Sequence, residues 1–213
     1  MKKELQHRFP EQFNILKDLF GDNINANRLN EIFQTCEEAW ESNLKNFHNS
    51  EVKYLLIGEA PPWTEEGKDI RYFYKTFDGN WVRRVWYAFP PSQPPKNNID
   101  ECLKQLAKEH FLLIDSLPFA MDYTTKRNNR KYFDLVKSCS DYLLSKLQNP
   151  KINWSENVKV ALAFKLNGKA LIEAFPCGIS LPTGQVLNLK NKIAIDGSNY
   201  TSSKKLRKIF GIK

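Results

Sequence analysis

The sequence predicts an α/β protein: three layers, α/β/α, around a short four-stranded and mainly parallel sheet. Three observations carry this. Short apolar runs of strand length recur at Val52–Ile57, Phe111–Ile114, Val158–Phe164 and Lys192–Ile195. Segments with apolar residues at helical spacing separate them. Strands alternating with helices argue a parallel sheet covered on both faces.

The chain has 213 residues, enough for one α/β domain, and no composition shift or repeat divides it. One domain over 1–213 is expected, with residues 1–50 as an N-terminal helical addition. Net charge is +8. A basic balance of this size suits an anionic partner such as nucleic acid, or a generally lysine-rich surface. The four cysteines, Cys36, Cys102, Cys139 and Cys177, have no metal-ligand spacing. Neither a cofactor nor a metal is expected. Met1–Phe9 is charged, and no apolar run approaches the ~20 residues of a membrane span. A cytoplasmic protein with reduced thiols, most simply a monomer, is the expectation.

Leu5–Phe20 carries a helical stripe of Phe9, Phe13, Leu16, Leu19 and Phe20, closed by Gly21 and Asp22. A second helix is predicted from Asn27 to Asn46, with Leu29, Ile32, Phe33, Cys36, Trp40 and Leu44 on one side. The first strand, Val52–Ile57, then stops at Gly58, and Glu59, Ala60, Pro61 and Pro62 follow. Glycine permits a tight path and proline ends a strand ladder. Glu59 is therefore either a carboxylate held at a strand mouth or a solvated turn residue.

Thr64–Phe89 interleaves Tyr72, Phe73, Tyr74, Phe77, Trp81, Trp86 and Tyr87 with Arg71, Lys75, Arg83 and Arg84. Such rings stack on bases, or fill a core beneath a long loop. Trp81–Phe89 reads as a helix with Trp81, Val85 and Trp86 inward. Pro90–Asn98 is a proline-rich loop, after which Asp100 is expected to cap a helix over Glu101–Glu109. Asp115 and Ser116 end the second strand as Glu59 ends the first. Lys126–Lys131, KRNNRK, is a solvated turn or a phosphate-contacting loop. Tyr132–Gln148 is predicted as one long helix, and Asn167–Phe175 as another. CGISLPTGQ reads as loop, the strand Lys192–Ile195 leads into Asp196, Ser198 and Asn199, and Ser203–Phe210 closes as a basic helix. Right-handed crossovers bring the strand ends to one edge of a parallel sheet, where ligands bind.

GEAPPWTEEG at Gly58–Gly67 resembles the GEAPG-type first motif of the uracil-DNA glycosylase superfamily. The order of elements over Val52–Phe210 is similar too: an aromatic segment, a second strand followed by Pro118, a basic loop, and a helix with Cys139 in its middle. The resemblance implies a uracil-DNA glycosylase-like fold. It implies a protein that binds DNA, single- or double-stranded, and hydrolyses the N-glycosidic bond of a flipped, damaged or deaminated base. Glu59 and Asp115 are then the catalytic carboxylates. Gly58, Ala60, Pro61, Tyr72, Phe73, Ser116, Ser198 and Asn199 hold the base. Arg127, Arg130, Lys204, Lys205 and Arg207 meet phosphates.

The chain departs from that pattern in three places. Asp196–Tyr200 stands where the family carries a His-Pro-Ser-type loop, and none of His7, His48 and His110 falls there. LLID stands where an asparagine reads the base edge, and Pro62 replaces a glycine or tyrosine. Loss of one leaving-group donor typically costs about 2.7–4 kcal/mol of barrier. Two other readings use the same residues: a non-catalytic nucleic-acid-binding protein on this fold, or a small-molecule hydrolase with Glu59 and Asp115 as acid and base.

Overall fold

Strand β1 (Val52–Gly58) is the centre of a three-stranded parallel sheet, with β2 (Phe111–Asp115) on one side and β3 (Trp154–Leu162) on the other. The computed structural model describes residues 4–21, 24–48, 50–76, 81–89, 98–121, 128–195 and 201–212. Leu55, Leu56 and Ile57 of β1 are each 0% exposed. Consecutive strand residues point to opposite faces, so both faces of the sheet are covered. Leu112, Leu113 and Ile114 of β2 repeat the pattern. This is the α/β layering that the alternating elements predict.

The helices are α1 (Leu5–Arg8), α2 (Pro10–Phe20), α3 (Ala26–Leu44), α4 (Trp81–Trp86) and α5 (Ile99–Lys108), then α6 (Asn129–Ser138), α7 (Ser140–Leu147), α8 (Lys165–Ala174) and α9 (Ser203–Phe210). Tyr54 of β1 packs against Phe89 and Phe210, with ring centroids 5.5 and 5.1 Å away. Phe111 of β2 meets the same Phe89 ring at 5.5 Å. This aromatic cluster seats α9 on the sheet. Elsewhere Phe9 meets Phe33, Phe119 and Tyr142 edge to face, which ties α3 and α7 to the segment after β2.

Several boundaries differ from expectation for local reasons. Leu5–Phe20 breaks at Phe9, whose φ of −134° and ψ of 62° lie outside the helical region. A residue before proline is pushed out of the helical region, so Pro10 starts α2. Tyr132–Gln148 likewise breaks at Cys139 into α6 and α7. Asn98, not Asp100, caps α5 by accepting from Glu101 N. Val82, Val85 and Trp86 are the buried face of α4, while Trp81 is half-buried. CGISLPTGQ holds β4 (Ile179–Ser180) and the turn of a small antiparallel hairpin whose other strand, β5 (Val186–Leu187), follows it directly. Lys192–Ile195 is no full strand: it makes one parallel bridge, Leu162 to Ile193, at the end of β3.

The edge of β2 is closed by a side chain. Leu113 N donates to the Tyr74 hydroxyl at 2.8 Å, and that hydroxyl donates to Leu113 O at 2.6 Å. One phenol thus satisfies both free backbone groups of an edge residue. Among the described residues no helix is long and apolar enough to cross a membrane.

Candidate functional site

The two strand ends are laced together beyond the sheet. Ser116 N donates to Gly58 O at 3.1 Å, Leu117 N to Glu59 O at 2.9 Å, and Met121 N to Pro61 O at 3.0 Å. Trp63 N returns a bond to Met121 O at 2.9 Å. The turn Gly58–Trp63 is therefore held along its length by the segment after β2, with no need for a ladder through its prolines.

Gly58 and Asp115 are register partners. Asp115 Oδ1 occupies the space that a β-carbon on Gly58 would need. The glycine is thus required by close approach, and the carboxylate sits over the end of β1.

Beside this carboxylate opens a small cleft of about 50 Å³. That is room for about four waters, near the size of one small ring. The turn supplies Ala60, Pro61 and Pro62, and β2 supplies Leu113 and Asp115. Arg71, Tyr72 and Phe73 line a second side, and Trp81 and Val82 of α4 a third. Asp115 is the one carboxylate among the described residues that line the cleft. Burial pushes its carboxyl up from 3.8 to about 7. The buried Lys146 ammonium and a hydrogen bond from Tyr72 oppose that rise, while Glu37 and Glu59 add to it.

Lys146 itself is held by α3. Its Nζ lies 2.6 Å from Glu37 Oε1 and 3.7 Å from the centroid of Trp40. The Tyr142 hydroxyl donates to the same Glu37 oxygen at 2.8 Å. Burial lowers the Lys146 pKa, and Glu37 restores part of it.

Glu59 takes a different place from Asp115. It is 3% exposed and does not line the cleft. The Tyr132 hydroxyl of α6 donates to Glu59 Oε1. Asn167 Nδ2 of α8 donates to that hydroxyl at 3.2 Å and to Ser116 Oγ at 2.9 Å. Ser116 Oγ donates on to the Glu59 carbonyl at 3.2 Å. Glu59 and Ser116 are thus parts of a buried network under the turn, which fixes its backbone from below.

Arg28 of α3 fixes the continuation of the turn from the side. Its guanidinium donates to Thr64 O, Glu65 O and Lys68 O at 2.9, 2.8 and 2.7 Å. It also pairs with Glu31 at 2.7 Å, and only 4% of its side chain is exposed. The helical segment before β1 is therefore built into the site.

Of the residues singled out from sequence, Ala60, Pro61, Tyr72, Phe73 and Asp115 meet around the cleft, with Gly58 beneath Asp115. Ser198, Asn199 and Arg127 lie outside the described residues. Lys204 and Lys205 are exposed on the first turn of α9. Thr201 and Ser203 anchor that turn to Ala163 O after β3 and to Arg84 O of α4, at 2.8 and 2.7 Å. Both lysines thus stand at the carboxyl end of the sheet, the end that carries the cleft. Arg207 Nε donates to Ala88 O at 3.2 Å. Arg130 lies near Asp134 and Glu173, at 3.6 and 3.7 Å, in exposed and therefore weak ion pairs.

The histidines are elsewhere. His7 sits by Glu4, His48 borders a separate hollow beside Asn153, and His110 Nδ1 lies 2.9 Å from Glu51 O. Sequence reasoning missed Arg28, Tyr132, Lys146 and Asn167, which touch the site only through the fold. It also left Arg71 and Trp81 out of the named site, although both stood in the aromatic and basic stretch that it marked. Among the described residues no group of His, Cys, Asp and Glu is placed to hold a metal ion.

No family model, curated protein or solved structure matches the chain.

Proposed function

We propose that this is a divergent uracil-DNA glycosylase-like protein that binds DNA and takes one flipped base into the cleft beside Asp115. The finer fold assignment belongs to the same proposal, with 192–195 as a fourth parallel member beyond β3. The observation that carries the reading is the meeting of the Ala60–Pro62 turn, Tyr72, Phe73 and Asp115 at one ring-sized cleft at the strand ends. A base must leave the duplex before chemistry on its sugar bond, and such a cleft suits the extruded ring.

In this reading Asp115 is the reactive carboxylate. A carboxyl near pKa 7 accepts a proton from water at neutral pH and returns it readily. Glu59 is a positioning residue, since its carboxylate meets Tyr132 beneath the turn. Arg71, Lys204 and Lys205 supply the positive surface that meets the phosphate backbone.

A panel of oligonucleotides carrying uracil, hypoxanthine or alkylated bases tests this. We expect retardation of DNA with a steep salt dependence, and alkali-labile abasic sites on at least one substrate. Asp115→Asn is expected to keep retardation and lose cleavage. Retardation without any abasic site favours the non-catalytic binder, a reading that the inward placement of Glu59 supports. Absence of both excludes nucleic acid.

A further inference from the structure

We infer that the base taken by the cleft is a cationic, N-alkylated one, held through its positive charge by Asp115 and the rings of Tyr72, Phe73 and Trp81. The inference rests on reading the cleft as a base pocket. Its grounds are the charge and chemistry of the lining.

A neutral base leaves its sugar as an anion, and a pocket for it needs donors or cations aimed at the departing ring. This cleft offers the opposite sign. A carboxylate lies against the strand end, and carboxylates only accept hydrogen bonds when ionised. Three aromatic rings flank it, and ring faces attract cations. None of the three histidines is near. Arg71, the one cation among the described lining residues, is exposed and suits a phosphate at the mouth. A ring that already carries a positive charge reverses the requirement. It is stabilised by the carboxylate before reaction, and it departs neutral.

The step balances without a further reactant. The bond between the sugar carbon and the ring nitrogen breaks, and its electron pair stays on the base and cancels the positive charge. A water oxygen bonds to the sugar carbon. The water's proton passes to Asp115, which has just lost its countercharge. Nothing is oxidised or reduced.

The titratable groups that face Asp115 are Tyr72 and Tyr74 of the aromatic segment, Lys146 and Tyr142 of α7, Glu37 and Cys36 of α3 and Glu59 after β1. The test is therefore run at pH 8, above the range in which Asp115 takes up its proton.

Two measurements decide the matter. Calorimetry compares 3-methylcytidine with cytidine, which differ by one methyl group and one charge. We expect the methylated nucleoside to bind at least about 10-fold more tightly, the value of one charge-assisted contact. Asp115→Asn, checked for folding by circular dichroism, is expected to bring the ratio near one. Equal affinity, a preference for cytidine, or no binding of either at millimolar concentration overturns the inference, and the wild-type ratio alone suffices for that. Chromatography of duplex DNA treated with methyl methanesulfonate, beside uracil-containing DNA, gives the second readout. Release of methylated bases in preference to uracil supports the inference. Release of uracil alone overturns it and leaves the glycosylase reading standing. A strong 3-methylcytidine preference with no base released from either DNA keeps the ligand class and removes the catalytic reading.

Discussion

Asp115 Oδ1 packs where a side chain on Gly58 would begin, so the carboxylate at the cleft depends on a missing β-carbon one strand away. Gly58→Ala must push Asp115 aside or spread the two strands. We expect a loss of about 1–3 kcal/mol of stability, as for other overpacked sites, by urea denaturation. DNA cleavage is expected to fall as far as in Asp115→Asn. A Gly58→Ala protein of unchanged stability and activity overturns this account.

Burial sets a pH dependence with an unusual direction. Asp115 is raised from 3.8 to about 7, so the folded protein holds its proton more tightly than the unfolded chain does. The stability it contributes is full below about pH 4 and is lost as pH rises to about 7. The opening onto the cleft screens part of it, and a loss of about 2 kcal/mol across that window is expected. Asp115→Asn should remove this component from the melting temperature measured between pH 4 and 8. A wild type and variant with parallel profiles sink the claim.

Tyr132→Phe deletes the hydroxyl that donates to Glu59 and accepts from Asn167. Hydrogen bonds to charged groups contribute about 1.5–3 kcal/mol, and stability should fall by that much. The cleft loses no lining group. Residual base release well above that of Asp115→Asn is therefore the expected assay result.

Arg28→Ala leaves three carbonyls of the 64–68 segment without their donor. A loss of about 2–4 kcal/mol follows from the bonds removed. Hydrogen exchange should rise first in residues 64–68 while the β1 amides stay protected. Uniform exchange across the sheet contradicts the local role.

Glu37→Ala leaves Lys146 buried without the carboxylate in contact with it, a change that typically costs about 3–5 kcal/mol. Replacing the pair together, Glu37→Leu with Lys146→Met, should cost less than the single change. Chemical denaturation of the three variants measures the difference.

Much of the scaffold was legible in the sequence. Ile57–Gly58 and Ile114–Asp115 read as strand ends because apolar runs met glycine, carboxylates and proline, and those signals are local. Tyr72 and Phe73 read from their density as either stacking or core residues, and only the family resemblance singled them out. The depth of each carboxylate was illegible. Glu59 and Asp115 stand at equivalent strand ends, and only the neighbours from α6 and α8 turn one of them inward. Helix breaks at Phe9 and Cys139 also escaped. The first follows from the proline after it, which outweighed a continuous stripe, and nothing in the residues explains the second. Arg28 gave no sign, because a buried arginine is defined by the carbonyls around it, and those lie 36 to 40 residues away.

Those separations bear on how the chain is made. A ribosome delivers α3 before its long-range partners. Arg28 waits for residues 64–68, and Glu37 waits for Tyr142 and Lys146, 105 and 109 positions later. At ordinary synthesis rates the second wait is roughly 5–20 s. Both β1 and β2 are made within that interval, ahead of Tyr142 and Lys146. The helix that braces the cleft is among the first to be synthesised, and its last polar partners arrive two thirds of the way along the chain.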